Sequence, residues 1–277
     1  MLRRNLAMKI RLIDIEDTRN PVVNQILGEL DRKKNEAAST GNEELANDCW
    51  RELEALKVNI KYIEAFEKIK SKRYRDAWID LERCEIDVNS IKINSDSGFF
   101  IASRCHFIEK QVPKWQSLYP YCLFISPGFK VGYYTCRICN HRIRPRSRCS
   151  HIKGKIYNGE LCVHEAHDVE MLEISLVRNP VQKYSVAHND ETLDFSLINY
   201  LSDFLDNAFE NWEAHWTRMS FPMERFSRVD PGSDCPCKSG KKFEECCINE
   251  KEISIPHVDF EFFKKIPDEK TRVRFPY

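Results

Sequence analysis

Cys136 and Cys139, in TCRICN, stand at the C-x-x-C spacing with which one tight turn presents two thiolates to a single ion. After nine intervening residues, Cys149 and His151 form a C-x-H pair. Three sulfurs and one imidazole fill the tetrahedral shell of a structural zinc and leave no corner open for water. A buried Cys taken singly is an ordinary small hydrophobe, but two close pairs in succession point to a metal clamp instead. Cys162, the last cysteine of this stretch, is an alternative ligand in place of His151 or another of the set. A second set lies further on: Cys235-x-Cys237, eight residues, then Cys246-Cys247. Four thiolates on a divalent zinc leave a net charge of about −2, which Lys238, Lys241 and Lys242 are placed to offset. The expected content is two zinc ions per chain.

Five arginines, Arg137, Arg142, Arg144, Arg146 and Arg148, crowd the loop between the central ligand pairs, and Lys153 and Lys155 follow. Arginines on a metal-stiffened loop suit nucleic-acid phosphates. The competing reading is a solvated loop that balances the thiolates. His164-Glu165-Ala166-His167 is one residue short of the H-E-x-x-H motif, whose histidines must stand one helical turn apart. It therefore reads as the polar end of a strand. Cys49, Cys84, Cys105 and Cys122 sit in apolar patterns and read as core thiols.

The elements that must position these residues divide into an α and a β part. Residues 9–16 alternate apolar and polar, as a short strand or arm. From Pro21 the period changes, with Val22, Val23, Ile26, Leu27 and Leu30 on one helical face. A polar break at Ser39–Asn42 precedes a longer stripe: Leu45, Cys49, Leu53, Leu56, Ile60, Ile63 and Phe66. Tyr74, Ala77, Trp78 and Leu81 begin a third helix. After Asn89 the composition turns to β-branched and aromatic residues broken by Asp-Ser-Gly and Pro-Gly, so strands are expected through residues 91–190. Asn158-Gly159 between apolar runs predicts a two-residue hairpin, and MLEISLV predicts a buried strand. Thr192 is placed to cap an amphipathic helix running to about Thr217, docked in cis. The tail from Pro256 to Tyr277 carries Phe260, Phe262, Phe263 and Phe275 among charges, and either packs on the body or awaits a partner.

The totals bound the answer. In 277 residues, 43 basic side chains face 43 acidic ones, so no overall charge pulls the chain toward DNA or an anionic membrane. Its apolar runs are too short for a membrane span, and the N-terminal stretch is not expected to act as a secretory leader. Twelve cysteines gathered into ligand pairs suggest metal in a reducing cytosol rather than a disulfide scaffold.

Residues Cys235, Pro236, Cys237, Ser239, Gly240, Lys241, Lys242, Cys246 and Cys247 resemble the SEC-C motif, the small zinc module at the end of the bacterial preprotein translocase ATPase. That resemblance covers under a tenth of the chain. It implies zinc binding and a protein-docking surface, and no catalysis. The chain has Asp234 and Lys238 where the motif has Pro and Gly; a Gly there relieves a tight backbone. The stretch CSHIKGKIYNGELC with EISLVRNP is similar to tailed-phage and bacterial segments in which a Cys/His knuckle precedes an E-x-S-x-V-x-x-P strand. In prohead proteases such a strand carries the serine nucleophile, which would fall on Ser175, with His106, His164 and His167 available as bases.

The expected protein is of the α+β class: an N-terminal arm and helical hairpin (1–90), a β-rich zinc-knuckle domain (91–190) and a docking helix (191–227). A SEC-C-like module (228–250) and an aromatic tail (251–277) complete it. The leading function is a non-enzymatic zinc adaptor that binds a protein partner in the cytosol of a bacterium. The alternatives are a nucleic-acid-binding protein that uses the arginine loop, and a serine hydrolase built on Ser175.

Overall fold

A computed structural model describes residues 12–266 and places the chain in the α+β class. The described residues form two compact units, 12–209 and 210–266.

The first unit is built on helices. Asp14 caps a short helix α1 (Ile15–Arg19) with a capping box, and Asn20 caps α2 (Pro21–Ser39), which has Pro at its first turn. Asn42 caps α3 (Glu43–Lys70), whose Leu53, Leu56, Ile63 and Phe66 are buried as the sequence stripe requires, although Leu45 faces out. Helix α4 (Tyr74–Ile93) lies against α3, and α6 (Cys105–Ser117) closes the bundle on both. Trp115 of α6 is buried, meets Phe66 at 6.3 Å between ring centroids and donates to Tyr62 Oη.

Two expectations are corrected here. Residues 91–117 are helical, not strand. Asp96 accepts from Phe99 N–H at 2.8 Å to start α5 (Ser97–Ala102), and Cys105, Ile108, Val112 and Trp115 recur at helical spacing on the buried face of α6. That period outweighs the β-branched composition. The helix expected from Thr192 to about Thr217 is confined to Ser196–Phe204 (α7). Leu205 is already extended, and the chain then enters a strand. Helix α7 docks in cis, on α3 and on Tyr74, whose ring stacks on Phe195 at 4.0 Å.

The β part of this unit is a long hairpin. Strand β1 (Phe124–Cys136) pairs antiparallel with β5 (His164–Val177), in a sheet ordered β2-β1-β5 with the short β2 (Arg142–Ile143). A bulge falls between Gly128 and Phe129, where Leu172 is the extra residue. Strands β3 (Ile156–Tyr157) and β4 (Glu160–Leu161) form a second small hairpin. Its turn residues Asn158 and Gly159 have φ 49° and 74°, the left-handed pair that a two-residue turn requires.

In the second unit, β6 (Trp212–Pro222) pairs antiparallel with β7 (Glu252–Phe262) along its whole length. The segment expected as a tail is thus the partner of the segment expected as a helix, and the cysteine-rich stretch is the connection between them. The tail beyond residue 266, with Phe275, and residues 9–11 of the expected arm lie outside the described residues; the rest of that arm is not a strand, since the chain is already helical at Ile15. Among the described residues, no helix is long and apolar enough to cross a membrane.

Candidate metal centres

Strand β1 delivers Cys136 as its last residue. The chain then turns within one helical-type step: Asn140 N–H donates to Cys136 O at 2.7 Å, and Asn140 takes φ 56°. Strand β2 returns beside Tyr134 and Thr135, and the tip closes with mutual backbone hydrogen bonds between Arg144 and Ser147. Cys149 and His151 come next, with the His151 ring held edge-on to Tyr157 at 4.6 Å. The ligand atoms of Cys136, Cys139, Cys149 and His151 all lie within 4.8 Å of one another.

This cluster is fastened to the helices. Asn94, at the end of α4, donates to Gly154 O at 2.8 Å and accepts from Ile156 N–H at 3.0 Å. Gly159 N–H donates to Asn47 Oδ1 at 2.8 Å. A Cβ at Gly159 would sit 2.7 Å from Lys34 Cγ and 3.1 Å from Ala46 O, so the hairpin can reach α3 only without a side chain there.

The second cluster is the core of its unit. Phe221, Phe226, Phe243, Ile253 and Ile255 are buried with Cys235, and Cys237, Cys246 and Cys247 pack against them. Cys235 N–H donates to Lys241 O at 2.9 Å, and Lys238 N–H to Cys235 O at 2.9 Å. Four sulfurs again lie within 4.8 Å of one another, with Cys237–Cys246 and Cys246–Cys247 at 3.6 Å. Lys238 adopts φ 59°, the left-handed backbone that costs a side-chain-bearing residue roughly 1–2 kcal/mol. Lys238→Gly is therefore expected to stabilise this unit by about 1 kcal/mol, measured as a rise in its chelator or denaturant midpoint.

Both donor sets fit a tetrahedral metal. Ligands at about 2.3 Å from a central ion stand about 3.8 Å apart at tetrahedral corners; Cys136–His151 at 3.8 Å and Cys237–Cys246 and Cys246–Cys247 at 3.6 Å match such edges, and every pair in each set is within 4.8 Å. The charges fit as well. Although its burial works the other way, the Cys136 thiol is held down at about 6 by N–H groups of Cys139 and Ile138 and by the thiols of Cys149 and Cys162. Burial, and then the Cys136 thiol, push Cys162 up to about 11. In the second cluster the Ser239 hydroxyl brings Cys237 down to about 6, while burial and the neighbouring thiols raise Cys247. Sulfurs this close cannot all ionise unaided, and a divalent cation is what permits it.

The remaining sequence candidates are dispersed. Arg137 pairs with Glu165 at 3.5 Å, and Arg142 lies over the Tyr133 ring at 4.1 Å. Arg144, Arg146 and Arg148 are exposed and have no acidic partner among the described residues. Ser175 faces Ser126 across the hairpin, and none of His106, His164 and His167 hydrogen-bonds to it. His167 instead stacks on Tyr133 at 4.7 Å and bonds Thr135 Oγ1. Cys49, Cys84 and Cys105 are buried thiols as expected; Cys122 is exposed and lies 3.5 Å from His188 Nε2.

MLEISLV is not a buried strand. Register places Ile125, Pro127, Phe129, Val131 and Tyr133 of β1 on one face with Leu176, Ile174, Met171, Val169 and His167 of β5. Phe129, Met171, Ile174 and Leu176 are 53%, 59%, 62% and 64% exposed, which makes an apolar face that none of the described residues covers. Ser126, Lys130, Glu170, Glu173 and Ser175 occupy the other face. Alternation of Met171, Ile174 and Leu176 with charged and hydroxyl residues carried this information, once the bulge at Leu172 is allowed for. No family model matches the chain, and no curated protein or solved structure matches it closely enough to count as a relative.

Proposed function

We propose that the protein is a non-enzymatic, zinc-clamped adaptor whose partner is a protein with an apolar surface, taken on the open face of the β1–β5 hairpin. That face carries the reading. A soluble monomer rarely leaves so long an apolar stripe uncovered, and such patches mark interaction sites. Two closed, sulfur-rich, tetrahedral donor sets favour zinc in a structural role and leave no coordination site for chemistry. The resemblance of the second cluster to the SEC-C motif supports the same assignment and adds a protein-docking role. Twelve cysteines with no disulfide among them are consistent with a reducing cytosol.

The test is co-purification from the native host with a variant carrying Ile174→Glu and Leu176→Glu. Both side chains are exposed, so the fold and a content of two zinc ions should survive. The bound protein should be lost at least tenfold relative to wild type. A partner retained at the wild-type level overturns the hairpin as the docking face, and iron in the elemental analysis overturns the choice of metal.

A second reading has one observation of its own: the turn tip presents Arg144 and Arg146 with no acidic partner among the described residues, beside Arg142 braced on Tyr133. Under that reading the chain binds nucleic acid, and Arg142→Ala, Arg144→Ala and Arg146→Ala together flatten the logarithmic salt slope by about one per lost phosphate contact. Titration of wild type with single- and double-stranded probes at low salt checks it; no binding removes the reading.

A further inference from the structure

The central cluster holds one donor too many. Cys136 Sγ lies 3.8 Å from His151 Nδ1 and also 3.8 Å from Cys162 Sγ. Both distances match one edge of a tetrahedral shell, and a closed shell that already holds Cys136, Cys139 and Cys149 has one corner left. We propose that Cys162 takes that corner, so that the central metal is held by four thiolates and His151 stands outside the shell as a partner of the Cys136 sulfur. The inference rests on the reading of this cluster as a zinc centre.

The four donors that lie mutually within 4.8 Å include His151 and not Cys162, so Cys162 must close in on Cys139 and Cys149 when metal binds; its burial and its fixed backbone favour it. Its side chain is fully buried, with the Cys136 sulfur as its neighbour. Its backbone is pinned on every side: Cys162 N–H donates to Lys155 O at 2.8 Å, Gly154 N–H donates to Cys162 O at 2.8 Å, and Arg137 N–H donates to Val163 O at 3.0 Å. The last of these ties the residue after Cys162 directly to the turn between Cys136 and Cys139. His151 is only half-buried and is braced edge-on against Tyr157, where a ring N–H pointing at a bound thiolate is an outer-shell contact of the familiar kind. Charge points the same way. Four thiolates on a divalent ion leave about −2 and three leave about −1, and the ligands are interleaved with Arg137, Arg142, Arg144, Arg146 and Arg148. That many cations suit the more negative shell.

Cadmium-113 NMR of the full-length chain, loaded with cadmium alone, reads each site separately. Two resonances, both in the four-thiolate range, are the expected result. One resonance in the range of three thiolates with one imidazole overturns the assignment and leaves the metal reading standing. A single cadmium per chain overturns both. Two full-length variants give a second readout under dialysis against a competing chelator. His151→Ala should keep two ions, with the central affinity reduced by no more than about the 10–100-fold of an outer-shell change. Cys162→Ser should lose one ion of the two. The reverse pattern, with His151→Ala losing the ion and Cys162→Ser retaining it, sinks the proposal.

Discussion

Cys235→Ser is expected to unfold the second unit while leaving the first intact. The apolar cluster around the cysteines is small, five buried side chains and a buried cysteine with three further cysteines packed on it, and Trp212 and Val258 are buried besides. Between β6 and β7 the only regular element is a 3-10 turn at Met223–Phe226. Such a connection cannot hold itself by burial alone. The apparent free energy of a structural zinc, about 10–16 kcal/mol, would dominate the fold. Loss of one ligand should therefore expose the 210–266 region to proteases and abolish protected amides in β6 and β7. A transition for residues 12–209 at its wild-type temperature should remain, because the two units are separately compact. If β6 and β7 keep their protection in the variant, the metal is ornamental there and the hairpin stands on its own packing.

In the first unit the corresponding change, Cys136→Ser, should act locally and not globally. The helical bundle buries Leu53, Ile63, Leu81, Ile108 and Trp115 without help from the knuckle. Far-ultraviolet helicity should persist. Strands β1, β2 and β5 would lose the clamp at their far end, and a hairpin without further cover is marginal in water. Amide exchange across 128–170 should rise by at least a hundredfold, with α2 to α6 unchanged. Acid should produce the same loss in wild type. Against the His141 N–H, which works the other way, burial and then the Cys136 and Cys149 thiols raise Cys139, and burial followed by the Cys136 thiol raises Cys162. Binding must therefore expel protons, and the apparent metal affinity falls about tenfold per pH unit for each proton expelled. A chromogenic chelator should capture metal more readily as pH falls from 8 to 6; an affinity independent of pH contradicts thiolate ligation.

What was legible in the sequence was local. The ligand pairs, the helical stripes of α2 and α3, and the Asn158-Gly159 turn are all written within a few residues of one another. Residues 91–117 misled because their composition favours strands while their apolar spacing is helical, and spacing decides which face can be buried. The β6–β7 pairing could not be read at all, since its partners stand 30 to 50 residues apart and each is ambiguous alone. Cys162 was readable as a candidate, but its place beside Cys136 depends on how the β3–β4 hairpin folds back. The open face of β1–β5 escaped because an apolar strand is ordinarily assigned to an interior, and only the finished topology shows that nothing among the described residues covers it.

Strand β5 is also an edge, since the sheet ends with it. A long, flat edge beside an apolar face would recruit further copies strand by strand and grow into fibres. Two irregularities interrupt that route. Asp168 takes φ 53°, and the bulge at Leu172 twists the strand again four residues later. No straight stretch of the edge is then long enough to template a regular ladder. Glu165, Glu170 and Glu173 add like charges that repel an identical neighbour in register. The chain can thus keep an oily surface open in a crowded solution without polymerising through it.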